Sequence, residues 1–172
     1  IERLACKFAD AIIVPTPALK RYLVRVHGLS RDRVAIVPNC IDMDMLKPER
    51  SRENVREELG IRDDDLVMFF FGSPYPENIR AIELLKELTA KLNKAGLSTK
   101  TLIAGKFKRD RSSDPHMIYL GYVYKLSIYM SAADVAVFPI STISLGIRSR
   151  VLSCLACGLP VVATREALLG ME

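Results

Sequence analysis

Short runs of uninterrupted apolar residues, separated by helical stretches, constrain this chain more than any other feature. Ala11–Val14, Val34–Val37, Leu66–Phe71, Thr101–Ala104, Ile118–Leu120, Val135–Phe138 and Pro160–Ala163 read as strands. A strand with one wet face alternates apolar and polar residues. These do not alternate, so both of their faces must be covered. Parallel neighbours need long crossovers, and the intervening helices supply them. The expected class is α/β: a doubly wound parallel sheet with helices on both faces.

Punctuation places the helices. Thr16-Pro17 opens one and Gly28 closes it, with Leu19, Leu23 and Val26 expected on its inner face. Ser51 opens a second, which Gly60 ends, with Val55 and Leu59 inward. The longest is expected over Pro76–Asn93, with Ile79, Ile82, Leu85, Leu88 and Leu92 as its apolar stripe and Lys86, Lys91 and Lys94 solvated. The last carries Val151, Leu152 and Leu155 inward and stops at Gly158, before Pro160. The polar run Asp42–Arg52 marks a boundary. Residues 1–45 read as the tail of a larger domain and 46–172 as a second, Rossmann-like domain.

Charge and motifs exclude several functions. The 172 residues carry a net charge of +5, spread thinly, with a dense basic run at Lys106–Arg111 and further arginines at Arg21, Arg25, Arg31 and Arg33. No base-stacking motif surrounds them, so nucleic acid is not an expected partner; a small anion, or peripheral contact with an anionic membrane, fits better. Cys154 and Cys157 lie in an apolar helical run without the second pair or histidine of a metal set, so they read as core, and no metal site is expected. The cysteine usage suggests a reducing, cytoplasmic compartment. His27 and His116 stand alone and read as surface residues. Glycine-rich dinucleotide, P-loop and nucleophile-elbow signatures are absent.

In a doubly wound sheet, ligands bind beyond the carboxyl ends of the strands. Loops that qualify begin at Gly72-Ser73, Gly105-Lys106 and Gly121-Tyr122-Val123, and the last is Ser144–Arg150 with Gly146, Arg148 and Arg150. From Asp134 to Glu166 no acidic residue intervenes, so a site on that last loop must work without carboxylates.

The segments ADAIIVPT (9–16), RVAIVPNCID (33–42), FFFGSPYPENIRAIELL (69–85), LIAGKF (102–107), YLGYV (119–123), SAADVAVFP (131–139) and LACGLPVVAT (155–164), in that order, resemble the group 1 glycosyltransferases. These are retaining family 4 enzymes of the two-domain GT-B architecture. The resemblance implies that residues 1–45 end an acceptor-binding domain and that residues 46–172 are the nucleotide-sugar-binding half. Most of the acceptor domain would precede Ile1, and the last helices would follow Glu172.

It further implies a nucleotide-diphosphate sugar as donor substrate, with no separate cofactor, and a glycan, lipid or small-molecule acceptor. Gly72 and Ser73 would lie near the diphosphate, Tyr122 and Val123 near the base, Gly146 near sugar and phosphates, and Ser153 near the ribose. Lys106, Arg148 and Arg150 would add positive charge. The family's two acidic positions are Leu145 and Ser153 here, and the arginine after its first-loop glycine is Ser73. No catalytic residue is assigned on this basis. A degenerate, non-catalytic nucleotide-, glycan- or partner-binding domain is the alternative those departures leave open.

Overall fold

A computed structural model describes residues 2–43, 46–47, 49–108 and 114–171. Two sheets organise it. The smaller pairs β1 (Ile12–Val14) with β2 (Val34–Ile36) in parallel, flanked by α1 (Glu2–Phe8) and α2 (Pro17–His27). Cys6, Val14, Leu23, Leu29 and Val34 form its core. After α3 (Arg52–Glu58) comes the larger sheet, built from β3 (Leu66–Phe71), β4 (Thr99–Ala104), β5 (Met117–Gly121), β6 (Val135–Phe138) and β7 (Val161–Ala163). Its order is β5-β4-β3-β6-β7, and every pairing is parallel. The helices of this half are α4 (Pro76–Lys94), α5 (Leu126–Ala132), α6 (Ser149–Ala156) and α7 (Arg165–Leu168).

From β3 the chain moves outward through β4 to β5, then returns to the other side of β3 for β6 and β7. Right-handed crossovers in opposite directions put α4 and α6 on opposite faces. The order reverses between β3 and β6, and there the two following loops diverge and leave a crevice. Phe69, Phe70, Leu102, Ile103 and Phe138 fill the interior and are fully buried.

Several details differ from the sequence expectation. The inward face of α4 carries Asn78, Ala81, Ile82, Leu85 and Thr89, while Ile79 and Leu88 are exposed. The cause is polar. Thr89 pairs with Thr101 (Oγ1–Oγ1 2.7 Å), and the Asn93 side chain bonds both N–H and C=O of Thr99. Those buried threonines also start β4 earlier than its apolar run suggests. Val26 and Leu155 face outward, leaving Leu23 on α2 and Val151 and Cys154 on α6 to pack inward. Lys91 and Lys94 are exposed but Lys86 is half-buried. His27 is largely buried and meets Glu2 at 3.2 Å, and His116 is half-buried with its Nδ1 enclosed. The expected boundary at 45/46, and Arg109 to Arg111 of the basic run, fall on residues outside the described ones.

One ion pair anchors the amino end of the large sheet. Arg56 is 4% exposed, and its guanidinium donates to the carbonyls of Ala132, Arg62, Asp63 and Asp65 and to Asp134 Oδ2 at 2.9 Å. Asp134 Oδ2 also accepts from the Val67 N–H at the start of β3. Arg52 holds the other carboxylate oxygen of Asp134 at 2.5 Å, so removing Arg56 would halve the carboxylate's cationic pairing and strand four carbonyls. Arg56→Ala should therefore cost about 3–5 kcal/mol in urea unfolding. Arg62→Ala, at a side chain 67% exposed, should cost under about 1 kcal/mol; equal losses would contradict the assignment.

Nearby, burial alone would raise the Asp65 carboxyl, but hydrogen bonds from Ser98 and the Arg62 N–H, with the Arg62 guanidinium, hold it below its ordinary value. A folded pKa below the unfolded one contributes stability at neutral pH that is lost as pH falls through the folded value. Asp65→Asn should be less stable near neutrality, and the gap in urea midpoint should close below about pH 4.

Candidate functional site

The crevice beyond β3, β4 and β5 is a cleft of about 690 Å³. Its walls are the Phe71–Tyr75 turn, the first turn of α4, Gly105-Lys106, Tyr122-Val123 and Ile147–Arg150. The backbone ladders continue past the strand ends: Gly72 N–H reaches Ala104 O at 3.1 Å, and Gly105 N–H reaches Gly121 O at 2.7 Å. Three loops are thereby tied side by side. Gly105 permits this. Its φ is +135°, and a Cβ there would lie 2.1 Å from Gly72 O. Gly72 serves differently, because a Cβ on it would meet Arg150 Nη1 at 2.7 Å and Asn78 Nδ2 at 3.0 Å.

Arg150 is the centre of this packing. It stands in the first turn of α6 and reaches across the crevice to β3. Its Nη1 donates to Phe71 O at 3.2 Å and to Asn78 Oδ1 at 2.8 Å. Its guanidinium lies over the rings of Phe138 and Phe70, at 5.7 and 5.9 Å. Burial pulls its pKa below the ordinary arginine value, Arg148 adds repulsion, and Glu77 opposes both. It stays charged, since an arginine would need a far larger shift to lose its proton near neutrality.

Arg148 lies alongside, its Nη2 donating to Thr142 O at 2.7 Å and its Nη1 standing 3.3 Å from Glu77 Oε1. Glu77 Oε1 is also 3.6 Å from Arg150 Nη2, so one carboxylate faces two guanidinium groups. The Arg148 Nε is buried without a partner. Asn78, 2% exposed, holds Arg150 through its oxygen and the Ser73 carbonyl through its nitrogen at 2.8 Å.

Both helix starts that face the cleft lack side-chain caps: Tyr75 precedes α4 and Arg148 precedes α6. Free N–H groups and a positive dipole end favour an anion there. At the far wall, Lys106 Nζ rests 5.3 Å from the centre of the exposed Tyr122 ring. Taken together, the cleft presents cations and N–H donors around a partly apolar hollow, which suits a phosphorylated ligand with a flat or apolar portion.

Of the residues expected from sequence, Gly72, Ser73, Lys106, Tyr122, Val123, Arg148 and Arg150 line this cleft. Gly146 and Ser153 do not. Gly146 sits in a turn closed by Ser144, and Ser153 turns its hydroxyl back onto Ser149 O at 3.0 Å along its own helix. The Leu145 carbonyl accepts from Thr16, in the first unit. Glu77 and Asn78 belong to the Gly72–Asn78 run that follows β3 but were not among the expected site residues; their position in the first turn of a helix following a loop glycine was the available signal. Cys154 packs in the core with its thiol pushed up to about 12 by burial, so it is inert. Among the described residues no cluster of three or more His, Cys, Asp and Glu could hold a metal.

The parallel order and the crevice at its reversal define a Rossmann-like α/β domain of the kind found in GT-B glycosyltransferases. Its backbone superposes on the crystal structure of Anabaena HepE in complex with UDP with a TM-score of 0.76, at 17% identity, covering 98% of this chain and 48% of that one. WaaG, a glycosyltransferase involved in lipopolysaccharide biosynthesis, gives 0.71 at 22% identity, covering 92% and 44%. The family model for glycosyl transferases group 1 matches residues 65–170, and that for glycosyltransferase family 4 matches residues 1–45. The chain belongs to the group 1 glycosyltransferases. Among curated relatives, the D-inositol 3-phosphate glycosyltransferase of Xylanimonas cellulosilytica is 26% identical over 184 residues, covering 90% of this chain and 40% of the relative. That of Mycolicibacterium smegmatis is 28% identical over 171 residues, covering 90% and 37%. The chain thus spans less than half the length of these relatives.

The two strained or crowded glycines should separate on substitution. Gly105→Ala combines an unfavourable φ with a backbone clash and should cost more than about 3 kcal/mol in urea unfolding. At Gly96, φ is +88° but nothing lies within 4 Å of a Cβ, and alanine should cost about 1–2 kcal/mol. Equal costs would mean that the loops after β3 and β4 are not held as described.

Proposed function

We propose that this chain supplies the donor-binding half of a glycosyltransferase that moves a sugar from a nucleotide-diphosphate sugar to an acceptor with retention. The observation that carries the reading is the pair Arg148 and Arg150 converging beside the Gly72-Ser73 turn, with Arg148 Nε buried and unpartnered. The family's first-loop arginine is Ser73 here, and Asn78 stands further along in the first turn of α4. Arg150 enters from the opposite side and puts its guanidinium against Asn78 and the end of β3. The positive charge is thus supplied from α6 instead of from the first loop.

The chemistry asked of this half is modest. As the bond from sugar to diphosphate breaks, negative charge grows on the leaving group. Two arginines and two uncapped helix starts can stabilise it without proton transfer. Glu77 holds both guanidinium groups in place before a ligand arrives, and a diphosphate would compete with it for them. The base would lie towards Tyr122 and Val123. UDP and UDP-glucose are named as the ligands of HepE, which supports a nucleotide-sugar donor. The acceptor belongs to the rest of the enzyme, and a cytoplasmic place at a membrane surface is part of the same proposal. Among the described residues, no helix is long and apolar enough to cross a membrane.

Calorimetric titration of the chain with UDP tests the reading. Binding is expected, weakened at least tenfold by Arg150→Ala, about 1.4 kcal/mol, and less by Arg150→Lys, which keeps the charge but loses the fork. Unchanged affinity in Arg150→Ala would overturn the assignment.

A further inference from the structure

A second concave surface lies away from the donor cleft and shares none of its lining residues. It is a groove of about 800 Å³ along α2, closed by Ile36 of β2 and Leu145. Lys20, Arg21, Arg25 and Arg31 line it, and among the described residues no carboxylate does. None of these four has an ion-pair partner among the described residues. Arg50, Arg52, Arg56, Arg62, Arg148 and Arg150 are each paired with an acid.

Local electrostatics make this arrangement unfavourable in the empty protein. Helix α2 (PALKRYLVRVH) contains no acidic residue. Arg21 and Arg25 are one turn apart, where like charges repel. Lys20 closes the first turn of the helix, the wrong end for a cation in its dipole, whereas Arg25 lies in the last turn. Ile36 and Leu145, each more than a third exposed, add an apolar patch to the groove beside the exposed Arg21, Arg25 and Arg31 and the half-buried Lys20. An anion seated among the cations would relieve the repulsion between them, and two arginines one turn apart can grip phosphate oxygens with their forks.

We propose that this groove is a second anion site, which takes a phosphate monoester of a small polar molecule. Its concave shape favours a small ligand over a bilayer, whose plane would not reach the floor. The groove and the donor cleft meet on one loop. Thr16, the fully buried cap of α2, accepts from Leu19 N–H and donates to Leu145 O. Leu145 precedes Arg148 by one short turn of loop. Leu145 is thus both a wall of the groove and part of the loop that leads to Arg148.

Titrating the isotopically labelled chain with glucose 6-phosphate, followed by backbone amide NMR, tests this. Shifts are expected over residues 17–26, at Arg31 and at 144–147. Arg21→Ala/Arg25→Ala should weaken them at least tenfold, while Arg150→Ala should leave the affinity within about twofold. Shifts confined to the donor cleft, indifference to the double substitution, or α2 shifts seen only with anionic phosphatidylglycerol vesicles would each overturn the proposal. UDP binding at the other cleft reports separately, so failure of one site is distinguishable from failure of the other.

Discussion

The geometry of the cleft depends on where Arg150 is allowed to go. Its helix begins directly after the loop that follows β6, so its first turn faces the point where the sheet order reverses. From there the side chain crosses to the carbonyl end of β3, over Phe70 and Phe138. That path exists only because residue 72 is glycine. A guanidinium in this position is short of water and incompletely paired: one carbonyl, one amide oxygen and a carboxylate at 3.6 Å are its partners. A buried cation with weak compensation is costly. It creates a standing preference for an anion at the mouth of the crevice, and Arg148, with its orphaned Nε, extends that preference.

The opposite end of the sheet answers a different need. Arg56 and Asp134 satisfy one another and five backbone groups, with no open valence facing a ligand. Both ends therefore carry arginines, buried at Arg56 and largely buried at Arg148 and Arg150, but only the carboxyl end leaves them unfinished. The same chemistry closes the fold at one edge and opens a binding surface at the other.

The large sheet was readable because its strands are apolar on both faces, and the FFF run of β3 and the VAVF run of β6 mark its centre. Strands with polar interiors were harder. Thr99 is fully buried yet falls before the strand expected from Thr101, because its partner Asn93 lies on α4 and their pairing cannot be inferred from periodicity. That pairing, with the one between Thr89 and Thr101, rotated the face of α4 and misplaced Ile79 and Leu88. At the cleft, glycines and cations after strands were legible from topology alone. Ser153 was not, because its hydroxyl satisfies its own helix, a choice that spacing does not reveal. Glu77 and Asn78 became meaningful only once α6 had been placed against α4.

The first unit is joined to this machinery through Thr16 and Asn39, which bond the carbonyls of Leu145 and Ile147. The arginine-bearing loop is thus braced from both halves of the chain. The central claim is that Arg148 and Arg150 take the positions from which a diphosphate is held. A crystal structure of the chain with UDP measures this directly. Guanidinium nitrogens of both arginines within about 3 Å of diphosphate oxygens, with Glu77 moved off them, is the predicted result. A bound diphosphate that contacts neither arginine, with the Glu77 pairs intact, would contradict it.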